Sequence, residues 1–201
     1  MPSNRAVILV AVLAAIAGGV ASIFFEPTIA YRLAGTPVGQ QVLDASLKAR
    51  APEPPPGMVI AQKGQRIPTM QLPDLAGTPV HFPDRWLGRP VLINLWATWC
   101  APCLKEMPDL QAFAETQGDT GVQVVGIALD DADAVGDFLA KHGIHYPVVL
   151  DAAGPADAGV RLGNPAGVLP YSVLLDAQGR LQKTRIGPFT DLADLHQWTQ
   201  P

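Results

Sequence analysis

The sequence predicts an α/β fold, a central sheet with helices on both faces, and three stretches carry that expectation. Val91 to Trp96 is a nearly unbroken apolar run bounded by Pro90, which reads as a buried strand, and Leu104, Met107, Leu110 and Phe113 follow it at helical spacing. A second pair repeats the alternation: an apolar strand over Val122 to Leu129, then a helix with Val135, Phe138 and Leu139 inward and Gly143 as its stop. Towards the C-terminus, Tyr171 to Asp176 and Arg180 to Ile186 flank Ala177-Gln178-Gly179 as a β-hairpin. An amphipathic helix over Asp191 to Trp198, capped by Thr190, closes the pattern.

Composition sets the outer limits. The 201 residues are 48% hydrophobic, enough for one globular domain with a substantial core plus an extension. A net charge of −4 and a pI of about 5.4 leave no basic footprint, so nucleic acid is not an expected partner.

In chain order, Arg5 precedes an uncharged stretch, Ala6 to Phe25, closed by Glu26-Pro27. Its 20 residues reach roughly 30 Å as a helix, the thickness of a bilayer core. A cleaved signal peptide competes with a membrane anchor here. Ala21-Ser22 is small enough to be cut, but Ile23-Phe24-Phe25 carries the apolar run past it, which favours an uncleaved anchor over residues 1–25. With Arg5 on the N-terminal side, the expectation is a single-pass protein whose N-terminus lies in the cytoplasm and whose bulk faces the oxidising side. Residues 26–66 lack a core pattern. Gln40 to Arg50 could make a short helix with Val42, Leu43 and Leu47 on one side, and Ala51 to Gly57, with four prolines, is an extended, semi-rigid spacer.

The globular domain is expected over 67–201. Met70-Gln71-Leu72 and Thr78 to Phe82 flank the turn Pro73 to Gly77, with His81 as a surface residue of that segment. Pro108 should kink the first long helix, because proline removes an internal hydrogen bond. Asp130, Asp131 and Asp133 could be mistaken for a metal cluster. They read better as capping acids of the second helix, since no later ligand completes a site. Tyr146 to Leu150 is a further strand, and Pro170 stands directly before the first strand of the hairpin.

The chemistry sits where the first strand meets its helix. Cys100 and Cys103 are the chain's 2 cysteines, separated by Ala101-Pro102. A zinc site requires four ligands as a rule, and the 4 histidines are scattered. A static disulfide of this spacing closes too short a loop to constrain the unfolded chain much. A strand–CxxC–helix context points instead to redox exchange. Free N–H groups and the helix dipole favour a thiolate at the helix N-terminus, which assigns Cys100 as the nucleophile and Cys103, one turn in, as its shielded partner. Pro102 falls where a first-turn residue needs no N–H partner.

Asn94 to Cys103, reading Asn-Leu-Trp-Ala-Thr-Trp-Cys-Ala-Pro-Cys, resembles the thioredoxin superfamily, and more narrowly its membrane-anchored TlpA/ResA-type disulfide reductases, which include the cytochrome c maturation reductases. The likeness runs from about Ile67 to the C-terminus. It implies a thioredoxin-like fold with a mixed sheet and an added N-terminal β-hairpin over Met70 to Phe82, and a cis bond between Leu169 and Pro170 in a loop facing the cysteines. Read from the residues alone, Pro170 is an ordinary trans proline before a strand, and the cis bond is what the resemblance implies. A cis bond would leave the Leu169 backbone able to pair with an extended substrate, with Trp99, Leu169 and Pro170 as the substrate-binding residues. Glu106 occupies a position where ResA-type reductases carry a carboxylate. In thioredoxin itself the buried acid comes from the central strand, where this chain has Asn94. Glu106 lies on the face of Cys103, and its two readings are a proton acceptor for Cys103 and a surface glutamate.

The expected activity is dithiol–disulfide exchange on disulfide-containing protein substrates, with Cys100, Cys103 and Glu106 as catalytic residues and no cofactor or metal. By resemblance, electrons come from a membrane thiol transporter of the DsbD or CcdA kind, at the periplasmic face of the inner membrane. Ala101-Pro102 offers no histidine to stabilise a thiolate, which favours reduction over oxidation. Three rivals stand beside it: a thiol peroxidase, whose usual proline–threonine–cysteine spacing is absent; a redox-sensing or copper-chaperoning module, for which Met107 is the one nearby soft ligand; and an isomerase. Cytochrome c maturation reductases commonly carry Glu directly after the cis-proline, where this chain has Tyr171, so apocytochrome c is a less secure substrate.

Overall fold

The computed structural model describes residues 36–200 and positions 8 and 12, and it divides into a unit over 1–43 and a unit over 44–201. Among the described residues no helix is long and apolar enough to cross a membrane; the expected span Ala6 to Phe25 lies, but for positions 8 and 12, outside them. In the first unit Val38 and Val42, from the start of helix α1 (Pro37–Lys48), are exposed. This helix begins three residues earlier than its apolar residues suggest and buries none of them.

The second unit is built on a five-stranded mixed sheet. Its strands are β3 (Val91–Trp96), β4 (Gln123–Ala128), β5 (Val148–Leu150), β6 (Tyr171–Leu175) and β7 (Leu181–Ile186), in the spatial order β5-β4-β3-β6-β7. β3 pairs parallel with β4 and antiparallel with β6, so it lies at the centre. Every residue of β3 is buried, as a strand covered on both faces requires. A separate two-stranded sheet, β1 (Met70–Pro73) with β2 (Pro79–Phe82), pairs Met70 with Phe82 and leaves His81 exposed. Its turn is joined to the main sheet by a bridge between Asp74 and Val149.

Helix α2 (Ala101–Thr116) starts directly beyond β3 and continues through Pro108 as one element. It buries Cys103, Glu106, Met107, Leu110 and Phe113, against a core that includes Leu92, Trp96, Val124 and Leu139. Each of these large apolar side chains contributes about 1.5–3 kcal/mol when fully buried. Met107 therefore belongs to the core.

Helix α3 (Ala132–His142) ends at Gly143, whose φ of 65° is the left-handed conformation that favours glycine and lets its N–H reach the Leu139 carbonyl. The short helix α4 (Ala158–Arg161) is capped by the Asp157 carboxylate, which accepts from Val160 N–H at 2.9 Å. At the hairpin between β6 and β7, Gly179 takes φ 79°.

The last helix, α5 (Leu192–Thr199), is capped by Asp191 and not by Thr190. The Asp191 carboxylate accepts from Asp194 N–H at 2.8 Å, while the Thr190 hydroxyl donates to the Asp194 side chain at 3.2 Å. The chain ahead of Ile67 is also tied to this unit: Gly64 N–H donates to Leu181 O and Leu181 N–H to Gln65 O.

Candidate active site

Ala97 to Trp99 carry the chain from the carboxyl end of β3 to Cys100, which is the N-cap of α2. Its sulfur accepts the Cys103 N–H at 3.4 Å. Pro102 lies in the first turn, where the missing N–H costs nothing. Cys100 and Cys103 are joined by a disulfide with a Cα–Cα distance of 5.3 Å. Cys100 retains 6% exposure and Cys103 none, so of the two cysteines only Cys100 borders the surface. Beside it Trp99 is 67% exposed, a large apolar ring left in solvent next to the reactive pair.

The loop that carries the cysteines is held from a neighbouring strand. Thr98 donates its backbone N–H to Asp130 Oδ2 at 3.0 Å and its hydroxyl to the same oxygen. Burial would raise the Asp130 carboxyl, but the hydrogen bonds from Thr98 and from Asp131 N–H outweigh it and hold the group below its usual range. The expectation that Asp130, Asp131 and Asp133 cap α3 is corrected accordingly. Asp131 is the N-cap residue but makes no side-chain cap bond, and Asp130 is committed to Thr98. The cause is register: Trp96 pairs with Ala128 in the parallel ladder, so the residues two steps past each strand end come together.

Glu106 is buried, with 2% exposure, and is not a surface glutamate. Its Oε1 accepts from Asn94 Nδ2 at 2.8 Å and its Oε2 from Phe189 N–H at 2.8 Å. Burial pushes its pKa up to about 7, against the opposing effect of those two donors and of Arg185. Asn94 also donates to Ser172 Oγ at 3.2 Å, and its Oδ1 has no partner among the described residues. Turning the amide over would present Oδ1 to a protonated Glu106, so Asn94 can serve either charge state of the acid. An asparagine inside an otherwise apolar buried strand is the sequence signal for this contact, because a buried amide needs partners.

The Leu169–Pro170 bond is cis, and so is Phe82–Pro83, which no sequence signal singles out. Pro170 is buried and its carbonyl accepts from Gly187 N–H at 2.9 Å. Leu169 is half-buried and packs against the cluster that holds both cysteines. Among the described residues none hydrogen-bonds to the Leu169 backbone. Tyr171 turns inward and donates its hydroxyl to Leu162 O at 3.1 Å, so the residue after the cis-proline is part of the scaffold.

The arrangement of a two-cysteine helix N-terminus above a buried carboxyl can carry out thiol–disulfide exchange with a proton acceptor held inside the domain. Comparison with known proteins agrees. The family model described as Redoxin matches residues 62–197. Sporulation thiol-disulfide oxidoreductase A of Bacillus subtilis is 29% identical over 151 residues, covering 72% of this chain and 87% of that protein. Thiol-disulfide oxidoreductase ResA of Bacillus thuringiensis is 33% identical over 132 residues, 64% of this chain and 72% of the relative. The crystal structure of StoA from Bacillus subtilis superposes with a TM-score of 0.53 at 27% identity, covering 66% of this chain and 97% of that one.

Proposed function

From the premise that this chain belongs to the redoxin family, as a thiol-disulfide oxidoreductase of the ResA and StoA type with a thioredoxin-like fold, we propose that it reduces disulfides in extended protein segments at the oxidising face of a membrane. The observation that carries this reading is the burial of Glu106 and Cys103, three residues apart on α2, behind Cys100, the one cysteine of the pair that borders the surface.

In the reductive direction the Cys100 thiolate attacks one sulfur of the substrate disulfide, and the other sulfur leaves as a thiolate that takes a proton from solvent. Cys103 then gives its proton to the Glu106 carboxylate and attacks Cys100. The second substrate sulfur leaves, and Glu106 supplies its proton or returns it to solvent. Two electrons and two protons pass to the substrate, and the enzyme is left as the Cys100–Cys103 disulfide. Trp99 offers an apolar platform to the substrate, and the unengaged Leu169 backbone is placed to pair with it as an added strand. Reloading needs a dithiol donor, which we assign to a membrane thiol transporter of the DsbD or CcdA kind. Apocytochrome c is one substrate of suitable chemistry, although the inward-facing Tyr171 provides no acidic contact for it.

Ala101-Pro102 places no cationic group beside the Cys100 sulfur, which favours a reducing pair. Equilibrating the full chain in detergent with glutathione is expected to give a potential near the thioredoxin value of about −270 mV. A value near that of DsbA, about −120 mV, would reverse the direction and leave the site intact.

The location rests on Arg5 followed by the uncharged stretch Ala6 to Phe25. The full chain expressed in bacteria should sediment with membranes and resist carbonate extraction, with its C-terminal domain digested when protease is added to spheroplasts. Recovery in the soluble fraction would remove the anchor from the reading.

A further inference from the structure

Behind Glu106 lies an ion pair, its arginine buried and its aspartate half-buried, that the sulfur chemistry does not use. Arg185 on β7 is 4% exposed and engages Asp194 on α5 twice, from its two terminal nitrogens at 3.0 and 2.7 Å. It also donates to Pro188 O at 3.1 Å, and its guanidinium lies 4.5 Å over the Phe189 ring. Asp194 in turn accepts from Thr190 N–H at 3.0 Å. The pair thus grips the connection between β7 and α5 on both sides of Phe189, the residue whose N–H is donated to Glu106 Oε2. Cross-strand register puts Arg185 beside Ser172 and Ser172 beside Asn94, the other donor to Glu106.

An ion pair of which only one member is buried is a poor source of stability, since solvent weakens the attraction and apolar side chains of similar volume often serve as well. Its position here suggests a different use. We propose that Arg185 and Asp194 form a positioning unit for Glu106: they fix the Phe189 N–H against its carboxylate and place charge nearby that sets the pH at which the active site exchanges its proton. This rests on the reading of Glu106 as proton acceptor for Cys103. The groups that act on Glu106 are Asp109 on its own helix, where Cys103 stands three residues earlier, Asn94 from β3, the Phe189 N–H, Arg185 from β7 and the Tyr146 phenol ahead of β5. Arg185 favours the carboxylate and Asp109 opposes it, while burial first and the Glu106 charge second push the Tyr146 phenol up.

The two members of the pair carry opposite signs, and this makes the proposal testable. The reduction potential of the full chain is measured against pH by glutathione equilibration for the wild type, Arg185→Met, Arg185→Lys, Asp194→Asn and Glu106→Gln. Removing the cation should move the inflection near neutrality upward by roughly half a unit or more. Arg185→Lys should leave it closer to the wild-type position. Asp194→Asn should move it downward, because Arg185 then acts uncompensated, while the amide oxygen of the substituted side chain still accepts from Thr190. If Glu106→Gln erases the inflection but the Arg185 and Asp194 variants leave it in place, or move it the same way, the pair is only a strut and the proposal is overturned. If Glu106→Gln leaves the inflection untouched, the reading of Glu106 fails first and this extension with it. Should Arg185→Met not fold, the downward shift in Asp194→Asn decides, and its absence overturns the proposal.

Discussion

A Cys103→Ala variant should accumulate a mixed disulfide between Cys100 and its substrate, whereas Cys100→Ala should form none, and both should lose at least about a thousandfold in turnover. The asymmetry follows from the position of each sulfur on α2. Cys100 is the N-cap, borders the surface and accepts the Cys103 N–H, a contact that supports negative charge on its sulfur. Cys103 is fully buried among Met107, Leu110 and Trp96, so a substrate sulfur meets Cys100 first. With Cys103 absent, the step that frees the substrate has no nucleophile. Incubating each reduced variant with a disulfide-bearing peptide and weighing the products by non-reducing mass spectrometry reads the outcome directly. A stable adduct on Cys103 in the Cys100→Ala variant would reverse the assigned order of attack.

What the sequence made legible is what depends on neighbours in the chain. The run Val91 to Trp96, the cysteines after it and the apolar spacing of α2 are local patterns, and the structure has β3 and α2 at those residues. The spacing of three between Cys103 and Glu106 implied a shared helical face, but spacing alone does not tell a buried face from a wet one. That required the β7–α5 connection, distant in sequence, to close over Glu106 and donate the Phe189 N–H. Asp130 was misread for the same reason. An acid ahead of a helix looks like a cap, and only the parallel register of β3 with β4 brings it to Thr98. Arg185 and Asp194 carried no signal at all: a cation in the strand Leu181-Gln-Lys-Thr-Arg-Ile is unremarkable until the neighbouring helix covers it. At α5 the choice between Thr190 and Asp191 as cap was a choice between two good capping residues, which local sequence does not resolve.

Replacing Glu106 by glutamine should stabilise the oxidised protein at alkaline pH while changing little at acidic pH, together with its effect on turnover. Burial raises the Glu106 pKa from its ordinary 4.5 to about 7 in the folded state. Between those values the native protein binds a proton that the unfolded chain releases, so the unfolding free energy falls as pH rises through this window. The stability associated with the protonated acid is fully present below 4.5 and is lost as pH passes about 7, a difference on the order of 3 kcal/mol. Glutamine does not titrate and loses nothing across the same interval. It can also keep most of the contacts: its carbonyl can accept from Phe189 N–H, and its amide can donate to Asn94 Oδ1, which otherwise lacks a partner, once the Asn94 amide turns over. Denaturant unfolding of both oxidised proteins over a pH series checks this, and the two stability curves should diverge steadily from acid to alkali. Parallel curves would mean that Glu106 is not proton-linked to folding, and its part in accepting the Cys103 proton would lose its physical basis. Diverging curves with an unchanged pH profile of disulfide reduction would separate the two roles, leaving a buried acid that titrates near neutrality but takes no part in the release of substrate.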